Sequence, residues 1–422
     1  MKEELLHFIW KYKLFYTQTL KTQSNQSIDI ISVGTHNFNS GPDFLNAKIR
    51  IDDQLWAGNV EIHVKASDWY VHGHENDSNY DALILHVVWE NDVAVFDTSN
   101  NRLPTLVLKE FVSKDLLQSY QRLFAKSKKF INCEKLVNDL DAFVLSNWIE
   151  RMYLERLGRK AETIRELLNT TENNWEAVLF QMLAKNFGLK VNGAAFFKMA
   201  TDIDFSIVRK ESQSLTRLES LLFGQLGMLN ANVDSSYFRT LKKEYEYQTK
   251  KYKLSKSLNT IEYFRLRPTN FPTIRIAQLT NLIFEKKQLF TDLMAMDLVE
   301  KFYAYFNTGT SPFWETHYTF ETESKKSRKK LSKPFIDLLL INTIIPLKFV
   351  YLKQQGKFEL EPFLKLIKAL KPEKNGIIEK YKDLSFPTTN AFETQALLEL
   401  KNNYCTPQKC LQCAIGNKLL RN

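Results

Sequence analysis

Apolar residues change their spacing near residue 110, and the change divides the chain into two kinds of structure. Before that point come short runs with turn-type residues between them. They are Ile28–Val33, Ala47–Ile51, Leu55–Val64, Ala82–Trp89, Val93–Phe96 and Leu103–Leu108. Runs this short, bounded by segments such as Asn37-Phe38-Asn39-Ser40-Gly41-Pro42 and Asp52-Asp53, predict strands. Ahead of them Leu5, Leu6, Ile9, Trp10, Leu14 and Phe15 recur at helical spacing and predict a helix over 3–20. After residue 110 the helical period dominates. Asp139–Leu168, Trp175–Phe187, Leu215–Leu229, Tyr237–Lys256, Ile276–Met296 and Pro334–Leu352 all carry it. The expectation is an α+β protein: a small amino-terminal α/β domain over 1–115 with a mostly antiparallel sheet, then a large all-α domain over 116–422.

Gly and Pro number only 13 and 11 in 422 residues, which excludes low-complexity and collagen-like chains. The opening Met1-Lys2-Glu3-Glu4 is unlike a secretory signal. The longest apolar stretch, Phe335 to Leu352, contains Asp337, Asn342, Pro346 and Lys348, so a buried helix pair is expected there and no membrane span. Four cysteines make no disulfide scaffold, and a cytoplasmic location is expected.

Charge and histidine are both skewed. Residues 1–120 hold 10 Lys+Arg and 16 Asp+Glu, whereas residues 121–422 hold 48 and 32. Six of the seven histidines, His7, His36, His63, His72, His74 and His86, fall in the first 86 residues. An acidic, ligand-rich front and a basic remainder suit metal-dependent work on a polyanion; two domains of differing surface composition explain the skew equally well.

The densest candidate site runs from Gly41 to His86. In Gly58-Asn59-Val60-Glu61-Ile62-His63-Val64-Lys65 the strand period puts Glu61, His63 and Lys65 on one face and Val60, Ile62 and Val64 on the other. Asp43, just ahead of the preceding strand, can meet Glu61 around a divalent cation. Asp68, His72, His74 and Asp77 add further ligand-type groups, and His86 can point into the same pocket. The competing reading makes Asp68 and Asp77 turn caps and the histidines surface residues.

Pro42-Asp43, seventeen intervening residues and Glu61-Ile62-His63 resemble the PD-(D/E)xK nuclease superfamily over about the first 110 residues. The resemblance implies Mg²⁺ or Mn²⁺ held by Asp43 and Glu61, with Glu4, or else Glu3, assisting from the leading helix. It implies His63 or Lys65 in the family's lysine role and a helix within Ala66–Tyr80. From end to end the chain is similar to an uncharacterised bacterial domain-of-unknown-function family. That likeness rests on Gly41-Pro42-Asp43-Phe44, Trp56 to His63, Ser67-Asp68-Trp69, His72-Gly73-His74, Leu85-His86-Val87-Val88, Phe223 to Leu229 and Arg267 to Pro272.

Three cysteines crowd the carboxyl terminus as Cys405-x4-Cys410-x2-Cys413, and Cys133 is the fourth. Together they can make a thiolate site for Zn²⁺ or an iron–sulfur cluster; ordinary reduced thiols are the alternative. Arg265, Arg267 and Arg275 alternate with aromatics and prolines, a pattern suited to gripping phosphate and stacking on unpaired bases. The lysines at 242, 243, 250, 251, 253 and 256 and the run Lys325-Lys326-Ser327-Arg328-Lys329-Lys330 read as solvated faces, with phosphate contact as a second reading. Phe223–Leu229 lacks the Lys-Ser/Thr ending of a phosphate loop and reads as tight helix packing.

The leading expectation is a metal-dependent nuclease with DNA or RNA as partner. The alternatives are a non-catalytic nucleic-acid- or protein-binding module and a His/Asp metallohydrolase of another class built on His63, His72, His74 and Asp77.

Overall fold

The computed structural model describes residues 2–125, 129–137, 140–255 and 259–421; Asp139 and Lys256 lie outside them. The chain forms two compact units, Met1–Trp148 with Leu400–Asn422, and Ile149–Glu399. The first unit therefore extends past the expected boundary at 115/116 and takes in the carboxyl-terminal segment with all its cysteines.

The first unit begins with helix α1 (Glu3–Lys11). Six strands follow: β1 (Ile28–Ser32), β2 (Thr35–His36), β3 (Phe44–Ile51), β4 (Gln54–Lys65), β5 (Leu83–Glu90) and β6 (Thr105–Val107). Their order is β1-β3-β4-β5-β6, with β2 also paired to β3. The sheet is mixed: β1–β3, β2–β3 and β3–β4 pair antiparallel, whereas β4–β5 and β5–β6 are parallel. Val93–Phe96 forms no strand; it contributes only an isolated bridge from Phe96 to Arg102.

Parallel neighbours cannot be joined by a hairpin, so the chain must cross over between β4 and β5. Residues 66–82 make that crossing with one helical turn, α2 (Asp68–Val71), and two short 3₁₀ turns. The expected crossover helix is thus reduced to four residues. The strand period sorts β4 as predicted. Val60 and Ile62 join the main core with Leu5, Leu6, Ile9 and Trp10 of α1, Ile49 of β3 and Leu85 and Val87 of β5. On the crossover side Trp69, Tyr80, Leu83, Val88, Val95 and Leu103 form a second, smaller core. Glu61, His63 and His86 are buried as well.

Helix α1 ends early. Lys13 adopts φ 50°, and Phe15 folds back so that its ring stacks on Trp10 at 5.7 Å and 10°. The apolar residues beyond Lys11 therefore extend the core without extending the helix.

The second unit is helical. Trp175–Phe187 is a helix over the range expected, and Leu215–Gln225 and Ser236–Tyr252 lie close to theirs. Ile276–Met296 resolves into two helices, Pro272–Glu285 and Leu289–Ala295. Gly224 supports the packing reading of 223–229, because a Cβ there would meet the Tyr245 ring at 2.2 Å. One helical stretch, Lys333–Gln354, is long and apolar enough to cross a membrane by length and composition, but 67% of its most apolar window is buried inside the protein.

Candidate metal centre

The crossover carries the site. Asp68 accepts from the Lys65 backbone N–H at 3.0 Å and turns the chain as it leaves β4. Gly73 has φ 73°, a left-handed conformation that glycine tolerates best. That reversal, placed between His72 and His74, brings both imidazoles back over the face holding Glu61 and His63. Trp69 and Tyr80 pack around His74, with the Tyr80 ring stacked on it at 3.9 Å. Asp77 accepts from Asn79 N–H at 2.9 Å and caps a turn, so the metallohydrolase ligand assigned to it is employed locally.

Nitrogen atoms of His63, His72 and His74 all lie within 4.8 Å of one another. Glu61 Oε1 is 3.3 Å from His74 Nε2 and 3.5 Å from His63 Nε2. His63 uses both ring nitrogens: Nδ1 is 2.9 Å from His86 Nε2, and Nε2 is 3.1 Å from His72 Nδ1. The imidazole row thus leads from buried His86 to exposed His72. Burial, followed by the other histidines, pushes His63 down to about 2; burial followed by His74 pushes His86 down to about 3. Both are neutral near pH 7, the state a metal ligand requires.

Asp43 and Glu61 do come together. Asp43 N–H donates to Glu61 Oε2 at 3.0 Å, and Ile62 N–H donates to Asp43 Oδ2 at 3.0 Å. Burial raises the pKa of Glu61, and nearby Asp43 adds to the rise. On α1, His7 Nε2 lies 3.1 Å from Asp43 Oδ2 and 3.8 Å from Glu3 Oε1. Burial alone would lower His7, but the hydrogen bond and charge of Asp43 outweigh it and the net shift is upward. The His36 ring lies edge-on to His7 at 5.4 Å.

Several assigned residues fall elsewhere. Glu4 is exposed, and its charge acts on Tyr120; Glu3, one position earlier, is the helix acid that faces His7. Lys65 is exposed and acts on Asp92, so the lysine position of the motif is occupied by His63. Arg275 is in the core: its guanidinium donates to Gln278 Oε1 at 3.0 Å and Asn270 Oδ1 at 2.6 Å and lies 3.8 Å from the Phe335 ring centroid. It is spent on packing and cannot serve phosphate. Arg265 and Arg267 remain exposed. In the basic run Lys329 is buried, donating to the carbonyls of Trp314 and His317. Cys133, Cys405, Cys410 and Cys413 line one cavity in the first unit.

Sequence reasoning noted the histidine enrichment but gave His7 and His36 no role. The Glu3-x3-His7 spacing, one helical turn, was the available signal for His7.

The donor set fits an ion. His74 Nε2 is buried and converges with His63 Nε2 on Glu61 Oε1, at 3.3 and 3.5 Å. Three imidazoles beside a carboxylate suit Mn²⁺, Zn²⁺ or Fe²⁺ better than Mg²⁺. No curated protein and no solved structure matches the chain. A family model described as protein of unknown function (DUF2851) matches residues 3–376, and the chain belongs to that family.

Proposed function

We propose that the first unit is a metal-dependent phosphodiester hydrolase of the nuclease type. The observation that carries this reading is the mutual clasp of Asp43 and Glu61 beside three imidazoles. The helix, antiparallel strands and parallel strand follow the element order that the nuclease resemblance implies, with the crossover helix shortened to Asp68–Val71. The basic excess after residue 120 supports a polyanionic substrate.

Glu61, His63, His72 and His74 would hold the ion, with Mn²⁺ preferred over Mg²⁺. The ion would supply a Lewis acid and an acidified water. Asp43 fixes Glu61 through its backbone amide and sets the charge on His7. His7, kept easier to protonate by Asp43, would give a proton to the leaving oxygen. His86 orients His63 from behind.

A second reading, a His-centred metallohydrolase acting on another substrate, is favoured by the closeness of the three imidazoles. A non-catalytic binding module is the third.

The full chain should be stripped with chelator, reloaded with Mn²⁺, Mg²⁺ or Zn²⁺ and incubated with single- and double-stranded DNA and RNA. Cleavage with Mn²⁺, abolished in Glu61→Gln and Asp43→Asn, supports the proposal. Tightly held Zn²⁺ that survives Cys405→Ser and is lost in His74→Ala, without nucleic-acid cleavage, transfers it to the second reading. Salt-sensitive binding without cleavage under any metal transfers it to the third.

A further inference from the structure

The carboxyl-terminal segment of the first unit holds a second cluster of soft ligands, separate from the histidine site. Cys405 and Cys410 flank a tight turn, and Cys413 immediately precedes the terminal helix Ala414–Arg421. Cys133 comes from a stretch nearly three hundred residues earlier. With Leu123, Asn132, Tyr404 and Gly416 these four line a cavity of about 20 Å³. That is room for one water-sized body.

Donors are aimed at the sulfurs. Asn132 Nδ2 donates to Cys410 Sγ at 3.5 Å, and the backbone amides of Gly416 and Ile415 point at the Cys413 sulfur. Hydrogen bonds to sulfur favour the thiolate over the thiol. Cys413 also sits where the amide end of the terminal helix favours negative charge. The turn is built tightly enough that a Cβ on Gly416 would strike the Cys410 carbonyl oxygen at 2.1 Å. Burial first, and then one another's charge, hold these sulfurs as thiols, so ionisation of the set calls for a positive ion among them.

We propose that Cys133, Cys405, Cys410 and Cys413 form a tetrathiolate centre for a thiophilic metal that locks the carboxyl-terminal segment onto the sheet unit. The locked segment delivers Leu420 into the main core beside α1, and Cys133, Cys410 and Leu411 pack against the same core. The role is structural: four protein ligands leave no open position for substrate. This centre does not depend on the histidine site or on its proposed activity.

The test uses the full chain carrying His74→Ala, which takes the histidine site out of the metal count, expressed with zinc and iron both supplied and purified without chelator. Metal content, visible absorption, acid-labile sulfide and titratable thiols are measured together. About one zinc per chain with no colour assigns a zinc centre. Labile sulfide would overturn the proposal, since the cavity has room for one ion and not for a cluster, whereas iron without sulfide assigns a mononuclear iron centre. Either metal supports the proposal if Cys405→Ser and Cys413→Ser, each added to His74→Ala, reduce that metal to under about a tenth. Should the serine variants fail to fold, the wild-type protein still decides: reactive thiols should rise from none to four as the metal is removed. Four freely reactive thiols in the protein as purified, or a disulfide among these cysteines, would overturn the proposal.

Discussion

The backbone amide of Asp43 donates to the carboxylate of Glu61, and the carboxylate of Asp43 accepts from the residue that follows Glu61. Each acid is therefore positioned by the strand that carries the other. Because β3 and β4 run antiparallel, this reciprocal clasp fixes both carboxylates by main-chain geometry. Rotamer choice alone would not hold them so closely.

Replacing one acid should therefore affect metal and chemistry before it affects the fold. Glu61→Gln keeps an oxygen to accept the Asp43 amide but removes the charge facing His63 and His74. We expect Mn²⁺ affinity to fall about 10–100-fold and any hydrolysis at least about 100-fold. Isothermal titration with Mn²⁺ checks the first, and circular dichroism should be unchanged. Undiminished Mn²⁺ affinity would remove Glu61 from the site.

Acid should loosen the sheet around β4 and β5 in chelator-treated protein. His63 and His86 have folded pKa values of about 2 and about 3, below the ordinary 6.5. As pH falls from 6.5 towards 3 the unfolded chain takes up protons that the folded chain refuses, so stability falls. The slope approaches about 1.4 kcal/mol per pH unit for each imidazole. His7 acts in the opposite sense: its raised pKa gives stability that is present below 6.5 and lost as pH rises. The raised pKa values of Glu61 and Glu3 likewise favour the folded state at low pH, in full below about 4.5, and that contribution is lost as pH rises. The two buried imidazoles act over the wider range. Hydrogen exchange in β4 and β5 peptides, corrected for intrinsic rates, should show less protection at pH 5 than at pH 7.5. Equal protection at both would contradict this.

Gly73→Ala isolates the backbone term at the crossover. Nothing lies within 4 Å of the added Cβ, so the cost is the left-handed conformation itself, about 1 kcal/mol. In a unit of this size that lowers Tm by about 2–4 °C. Mn²⁺ binding should weaken as well, since the strain acts between two ligands. A melting curve and a binding isotherm on the same sample test both, and a change in neither would show that the reversal does not need glycine.

Gly224→Ala tests the second unit. The new methyl would press on the Tyr245 ring, whose hydroxyl accepts from Gln225 Nε2 at 3.0 Å and so resists movement. Overpacking of this kind costs about 1–3 kcal/mol. With Tyr245→Ala already present, the same change should cost much less. Additive losses in the double variant would place the strain elsewhere.

Much of the architecture was legible because periodicity reports burial. Trp175–Phe187 and most strand positions follow from spacing alone. Pairing direction was not legible: whether β4 and β5 lie parallel depends on the path of residues 66–82, and local spacing carries no trace of it. Glu3 rather than Glu4 faces the site because α1 sets its phase by burying Leu5, Leu6 and Ile9, which a short acidic start does not reveal. His86 reaches His63 because parallel register sets it opposite Glu61. Arg275 looked available because it ends a stretch that interleaves arginines with aromatics and prolines, yet it lies in the first turn of a helix buried on all sides. Cysteine spacing suggested a shared site, and the fold brings all four to one cavity, though nothing local to Cys133 announces its partners.

Leu420 closes the core that Leu5 begins. During synthesis the sheet must therefore wait, its inner face incomplete, until the final helix leaves the ribosome. Ile149–Glu399 can meanwhile collapse on its own contacts. A nascent chain stalled before residue 400 would expose the front unit to chaperones and proteases.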